Sequence, residues 1–246
     1  MLVEQLPQTG AHLFRWRSFL PLMFLPIVLW ALRDAECLDA VMGDRMDDVF
    51  EALALGVSLI GVAVRIVTIG QVPRSTSGRN TKEQRAAVLN TLGTYSVVRH
   101  PLYLGNFLII FGLLLSTGLW HITLIGALAF ALYYERIMMA EEAFLLSRFG
   151  EDYLRWSKMT PAFFPRFARW RKPTLGFSWR MVLRREISTW LGFVSAALFV
   201  DVAEDLIAES QLEVDAEWLV ALAPLIVLYA VIHCSKRVGW LRVTDR

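Results

Sequence analysis

Apolar runs of about twenty residues alternate with short, strongly charged stretches along most of this chain. A helix needs about 20 consecutive apolar residues to cross the hydrocarbon core of a bilayer. The pattern predicts six such runs, at 14–32, 49–72, 101–119, 122–140, 186–203 and 218–234. Within the first run, Arg15 and Arg17 precede an apolar core at 18–32 and so resemble a signal peptide, but no small-x-small cleavage site follows Leu32, so a retained helix is expected. Only Trp120 and His121 separate the third and fourth runs, which predicts a tight helical hairpin. After it, Phe144, Leu145, Phe149, Tyr153 and Trp156 recur at helical spacing, so 141–157 reads as an amphipathic helix leaving the membrane, interrupted at Gly150. The expected fold is all-α, a polytopic membrane protein with about six transmembrane helices and a cytoplasmic helical segment. Three regions follow from the pattern: 1–88 with two spans and a basic connection, 89–172 with two spans and the amphipathic helix, and 173–246 with two further spans.

Composition supports the membrane assignment. The chain is 56% hydrophobic, above an ordinary soluble domain, and its nine Trp and six Tyr suit interfacial belts. The net charge of +2 says little, but its distribution orients the chain. Lys and Arg concentrate at the N-terminus, in 74–99, in 136–185 and in the tail, whereas 33–48 and 204–217 are acidic. The positive-inside rule then places both termini and the two long polar segments in the cytoplasm. On that topology Cys37 and Cys234 lie on opposite sides and cannot pair. The four histidines are too scattered to suggest a metal cluster, and no phosphate-loop or dinucleotide signature is present.

The candidate chemistry sits at the polar-to-apolar switch Arg99-His100-Pro101. Proline lacks a backbone N–H and has a fixed φ, so Pro101 suits the first position of a helix starting at the membrane surface. Arg99, Tyr103 and Asn106 then fall at i, i+4 and i+7, near one face. The same residues would also anchor a helix at the lipid headgroups. Arg65 lies inside the second run; it is either functional or snorkels to a helix end about 10 Å away. With Arg74, Arg79, Lys82, Arg85 and Arg99 it forms a basic cluster suited to a phosphate, or simply to anionic lipid. Thr81 and Gln84 have capping-box spacing, predicting a short helix from Asn80 or Thr81. Glu141 and Glu142 are adjacent carboxylates at the inner end of the fourth run, either capping the helix or binding a ligand.

Together these pieces form a two-part pattern. Leu89, Thr91, Gly93, Tyr95, Arg99, His100, Pro101, Tyr103 and Gly105 are followed, after a hairpin, by Glu141, Glu142, Phe149, Gly150 and Tyr153, with Pro161 or Pro165 closing it. This resembles the isoprenylcysteine carboxyl methyltransferase and phospholipid methyltransferase family. The resemblance implies a membrane-embedded methyltransferase that uses S-adenosylmethionine and takes its lipid acceptor laterally from the bilayer. It implies cofactor binding by Tyr95, His100, Pro101, Tyr103, Gly105 and Glu141. Arg99 and Glu142 would brace the catalytic pocket or orient the acceptor, and Arg65, Arg79, Arg85 and Asn106 would bind the acceptor. The S-G-R-N-T-x-x-Q segment at 77–84 is also similar to bacterial lipid A phosphate methyltransferases, which implies a bacterial inner membrane. The expectation is methyl transfer to an anionic lipid oxygen, phosphate ahead of carboxylate. Isoprenylcysteine-type carboxyl methylation, amine N-methylation of a phospholipid, S-methylation of a small thiol and a non-enzymatic scaffold are the alternatives. The last two spans exceed what the shorter eukaryotic members carry.

Overall fold

Among the described residues six α-helices are numbered here in chain order, each built around an apolar run. They are α1 (Leu25–Ala31), α2 (Asp44–Gln71), α3 (Pro101–Leu115), α4 (Trp120–Met159), α5 (Trp179–Glu204) and α6 (Ala216–Val238). The computed structural model describes residues 9–10, 13–14, 25–33, 44–73, 86–209 and 216–238. The short helix expected near Asn80, the basic residues Arg74, Arg79, Lys82 and Arg85, and Cys37 lie outside them, as does much of the first expected span. There are no strands among the described residues, only an isolated antiparallel bridge between Gly93 and Arg171.

Among the described residues, α2 over Val49–Gln71, α4 and α6 are long and apolar enough to cross a membrane. The 15-residue α3 is apolar but shorter, about 22 Å at 1.5 Å per residue. Leu53, Leu59 and Ile60 on α2, Leu124, Leu128 and Leu132 on α4, and Val220 and Val227 on α6 are all exposed. Such broad apolar faces are costly in water and suit a lipid solvent.

The hairpin turn lies at 116–119, earlier than the sequence pattern suggests, so Trp120 and His121 begin α4 rather than separate the helices. Its reversal is made by Gly118 at φ 67° and by Thr117 and Thr123, whose hydroxyls both donate to the Leu114 carbonyl at 2.8 and 2.9 Å. The fourth run and the amphipathic segment form one 40-residue helix, about 60 Å long and twice the hydrocarbon thickness. At that length it exceeds what a single crossing needs, and the Glu141-Glu142 pair opens its second half. Gly150, at φ 49° and ψ −121°, breaks its regularity where expected.

Helices α2 and α3 meet along small residues. Ser58 donates to the Ile109 carbonyl at 2.9 Å, and a Cβ on Gly61 would lie 2.6 Å from the Gly105 carbonyl oxygen. Bare backbone is what lets the helices come this close. On one side α5 joins this pair, with Met181 and Val182 buried against Ile69 and packed by Leu102. Its other neighbour is α6, through Ile187 and Ile232.

A backbone clasp holds the segment before α3 to the segment after α4. The Arg99 and His100 amides donate to the Pro161 and Ala162 carbonyls at 2.8 and 3.3 Å. Gly93 donates to Arg171 and Arg166 to Val97, each at 2.9 Å. Trp156 adds an indole N–H to the Tyr95 carbonyl at 3.0 Å.

Candidate functional site

Pro101 occupies the first turn of α3 and His100 is its N-cap, so the helix start fixes where the imidazole sits. His100 is 5% exposed. Its Nε2 lies 2.9 Å from Oε1 of Glu142 on α4. The other carboxylate oxygen accepts from Arg99 Nη1 at 3.0 Å. A carboxylate can only accept, so Nε2 carries the proton in this contact. The opposite ring nitrogen, Nδ1, is 3.7 Å from Oε2 of Glu141. Glu142 therefore braces the Arg-His pair, while the Glu141 side chain, 36% exposed, is the more open carboxylate.

Burial pushes the Glu142 carboxyl upward, but the His100 hydrogen bond and the charges of His100 and Arg99 outweigh it and hold it below the usual glutamate range. Past the Gly150 break, Tyr153 reaches the same group, with its phenol 3.5 Å from Arg99 Nη1. Burial, then the neighbouring Glu142 charge, raise the Tyr153 phenol well above its ordinary value. Burial does the same to Tyr95. Both phenols stay protonated at neutral pH.

One polar atom here lacks a partner among the described residues: the buried Nε of Arg99. A buried donor left unpaired costs about 1–3 kcal/mol. It is the kind of group that a ligand carboxylate or phosphate oxygen would satisfy.

An aromatic wall continues inward. Tyr103 stacks on His100 with centroids 5.6 Å apart, and Tyr134 meets Tyr103 edge-on at 5.1 Å. Asn106 donates to the Tyr134 hydroxyl at 3.3 Å and accepts from Arg65. Arg65 in turn makes a two-pronged ion pair with Glu186 of α5, 2.8 Å from Nε and 2.9 Å from Nη2. Sequence reasoning did not single out Glu186. Its signal was present: an acid opening an apolar run, in a chain with one arginine deep in another run.

The structure thus brings Arg99, His100, Tyr103, Glu141 and Glu142 together. Asn106 and Arg65 sit one layer deeper, with the Arg65 charge already paired. The Tyr95 carbonyl is part of the clasp, while its phenol lies within electrostatic reach of Glu141, Arg185 and Arg65 rather than of Glu142. Gly105 lies in the α2–α3 contact, where a Cβ would fall 2.5 Å from Arg65 Cγ and 2.9 Å from the Gly61 carbonyl oxygen. That packing accounts for glycine there without any ligand. Arg79 and Arg85 lie outside the described residues. An open cavity of about 280 Å³ abuts the clasp, lined by Trp156, Trp170, Arg169 and Arg171 among others; neither His100 nor Glu142 lines it. Among the described residues, no group of three or more His, Cys, Asp or Glu is placed to hold a metal ion.

Residues 52–152 match the family described as phospholipid methyltransferase. The cobalt-zinc-cadmium resistance protein CzcN of Cupriavidus metallidurans is 34% identical over 151 residues, 61% of this chain and 66% of that protein. The nickel-cobalt-cadmium resistance protein NccN of Alcaligenes xylosoxydans xylosoxydans is 33% identical over 163 residues, 65% of this chain and 73% of that one. The protein-S-isoprenylcysteine O-methyltransferase of Schizosaccharomyces pombe is 31% identical over 118 residues, 48% of this chain and half of that enzyme. No solved structure gives a significant match.

Proposed function

This chain belongs to the phospholipid methyltransferase family, and from that premise we propose that it moves the methyl group of S-adenosylmethionine to an anionic oxygen of a membrane lipid, phosphate ahead of carboxylate. The observation that carries the reading is the Glu142 carboxylate shared between Arg99 and His100 where α3 begins beside α4. In this reading all six apolar runs cross a bacterial inner membrane, with both termini and the site on the cytoplasmic side.

The residues suit the cofactor's chemistry. Its amino group and ribose hydroxyls need acceptors, which the open carboxylate of Glu141 supplies. Its carboxylate needs a donor, which the unpaired Arg99 Nε supplies. Tyr103 offers an aromatic face to a cation. When bound, S-adenosylmethionine supplies an electrophilic methyl on a sulfonium.

The protein's part is binding and alignment. Glu142 fixes Arg99 and His100; Tyr95 and Pro101 fix the backbone that carries them, and Gly105 lets α3 seat against α2. A phosphate oxygen is ionised at neutral pH, so no general base is required. Holding the reacting groups in line supplies up to about 7–11 kcal/mol of the barrier. Acceptor binding falls chiefly to Arg79 and Arg85, because the Arg65 charge is paired with Glu186 and reaches the site through Asn106. Methylating a phosphate oxygen removes a negative charge and weakens divalent-cation binding at the membrane surface. That consequence fits relatives whose names carry cobalt, zinc, nickel and cadmium resistance.

The similarity to an isoprenylcysteine O-methyltransferase favours carboxyl methylation as the second reading. One experiment separates the two. Purified protein is incubated with methyl-labelled S-adenosylmethionine and total lipid from its host, and the labelled species are identified by mass. Label on a lipid phosphate is expected. Label on a carboxylate selects the second reading, and label on an amine overturns both. Failure to bind S-adenosylmethionine or its demethylated product removes the methyltransferase assignment.

A further inference from the structure

We propose that Glu186, on a helix outside the matched segment 52–152, is a positioning residue that sets the site from the far side of α3. Its side chain is 2% exposed and that of its partner Arg65 12%. From Glu186 an unbroken path of contacts runs through Arg65, Asn106, Tyr134 and Tyr103 to His100. It crosses from α5 through α2, α3 and α4, and ends on the imidazole that Glu142 holds from the other side.

Stability alone does not account for this pair. Desolvating two charges offsets most of their attraction, and apolar residues of similar volume usually replace such a pair at little loss. What apolar residues cannot do is orient Asn106. With Arg65 fixed by two bonds to Glu186 and a contact to Thr189 at 3.4 Å, its Nη1 is left to one acceptor, the Asn106 side-chain oxygen. That choice turns the Asn106 amide nitrogen toward the Tyr134 hydroxyl. Tyr134 is itself stacked on Phe130 at 3.9 Å, so its ring is a rigid stop for Tyr103. The two C-terminal helices thereby acquire a role: α5 supplies the anchor of this path, and α6 backs α5 through Ile187 and Ile232.

The link to methyl transfer rests on the function proposed above, so the test has a readout that does not. The variants are Glu186→Gln and the double variant Arg65→Met with Glu186→Leu, the second chosen because removing both charges protects folding. The full-length protein is purified in detergent with ¹⁵N-histidine, and the His100 ring resonances are assigned by their loss in His100→Gln. Binding of S-adenosylhomocysteine is measured on the same samples by calorimetry. The expected result is a folded double variant whose His100 resonances move and whose Kd for S-adenosylhomocysteine rises about fivefold or more, the scale of ordinary coupling between sites. Unmoved His100 resonances in both variants overturn the proposal, whatever happens to the melting temperature. If the unaltered protein binds no S-adenosylhomocysteine, the methyltransferase reading fails by itself and the His100 resonances still decide the positioning role.

Discussion

His100 and Glu142 stand 42 positions apart in the chain and 2.9 Å apart in space, on the starting turn of one helix and the midpoint of another. The α3–α4 hairpin makes that contact, and Arg99 uses the second oxygen of the same carboxylate. Glu142→Gln keeps the shape but removes the charge that both partners face. Methyl transfer is expected to fall by about 100-fold, the scale on which misplaced groups act. The fold is expected to lose about 1–3 kcal/mol. Single-turnover assays and thermal melts in detergent check the two effects separately.

Acid should undo the same contact. The Glu142 carboxyl titrates lower in the folded protein than its ordinary value of 4.5. A depressed carboxyl contributes stability that is present above the unfolded value and lost as pH falls through the folded one. Melting temperature is therefore expected to hold near neutrality and decline below about pH 4.5, with a shallower decline in Glu142→Gln. A pH series of melts from 7 to 3 on both proteins measures it.

Glycine-to-alanine changes inside and outside the α2–α3 contact should have opposite outcomes. Gly61→Ala puts a Cβ 2.6 Å from the Gly105 carbonyl oxygen and 2.8 Å from the Ile109 nitrogen, both backbone atoms that cannot swing away. It should destabilise by about 1–3 kcal/mol. Gly192→Ala in α5 meets nothing within 4 Å and should gain up to about 1 kcal/mol from helix propensity. Paired thermal melts check the contrast.

Gly150→Ala tests the break in α4. No atom would obstruct the added Cβ, but the backbone sits at φ 49°, ψ −121°, where residues with a side chain are strained. A cost of about 1–3 kcal/mol is expected, with weakened cofactor binding, because Tyr153 reaches Arg99 only from beyond this break. Calorimetric titration with S-adenosylhomocysteine reads the second effect.

Arg79→Gln with Arg85→Gln separates acceptor from cofactor. The Michaelis constant for the lipid should rise while the Kd for S-adenosylhomocysteine stays unchanged. A weakened Kd would count against assigning these arginines to the acceptor.

The site was legible where chemistry forces a residue type. Pro101 announced the start of α3, and the paired glutamates announced the second half of α4, because each departs sharply from its apolar surroundings. The hairpin turn was misplaced because Ser116 and Thr117 look like ordinary members of an apolar run; Gly118 at φ 67°, with the Thr117 and Thr123 hydroxyls on the Leu114 carbonyl, makes the reversal there. The fourth run and the amphipathic segment merged because no proline or capping residue separates Ala140 from Glu141. The pairing of Arg65 with Glu186 was out of reach, since 121 intervening residues hide which helices meet. At Gly105 the resemblance implies a cofactor contact, and close α2–α3 packing independently asks for glycine there.

The clasp between 93–100 and 161–171 is made mainly of main-chain bonds. Such bonds are indifferent to which side chains the strip carries, and Phe164, Arg166, Phe167, Arg169 and Arg171 all face outward. The outer strip can thus carry different side chains without loosening the segment that presents Arg99 and His100, so its surface chemistry and the position of the site are separately adjustable.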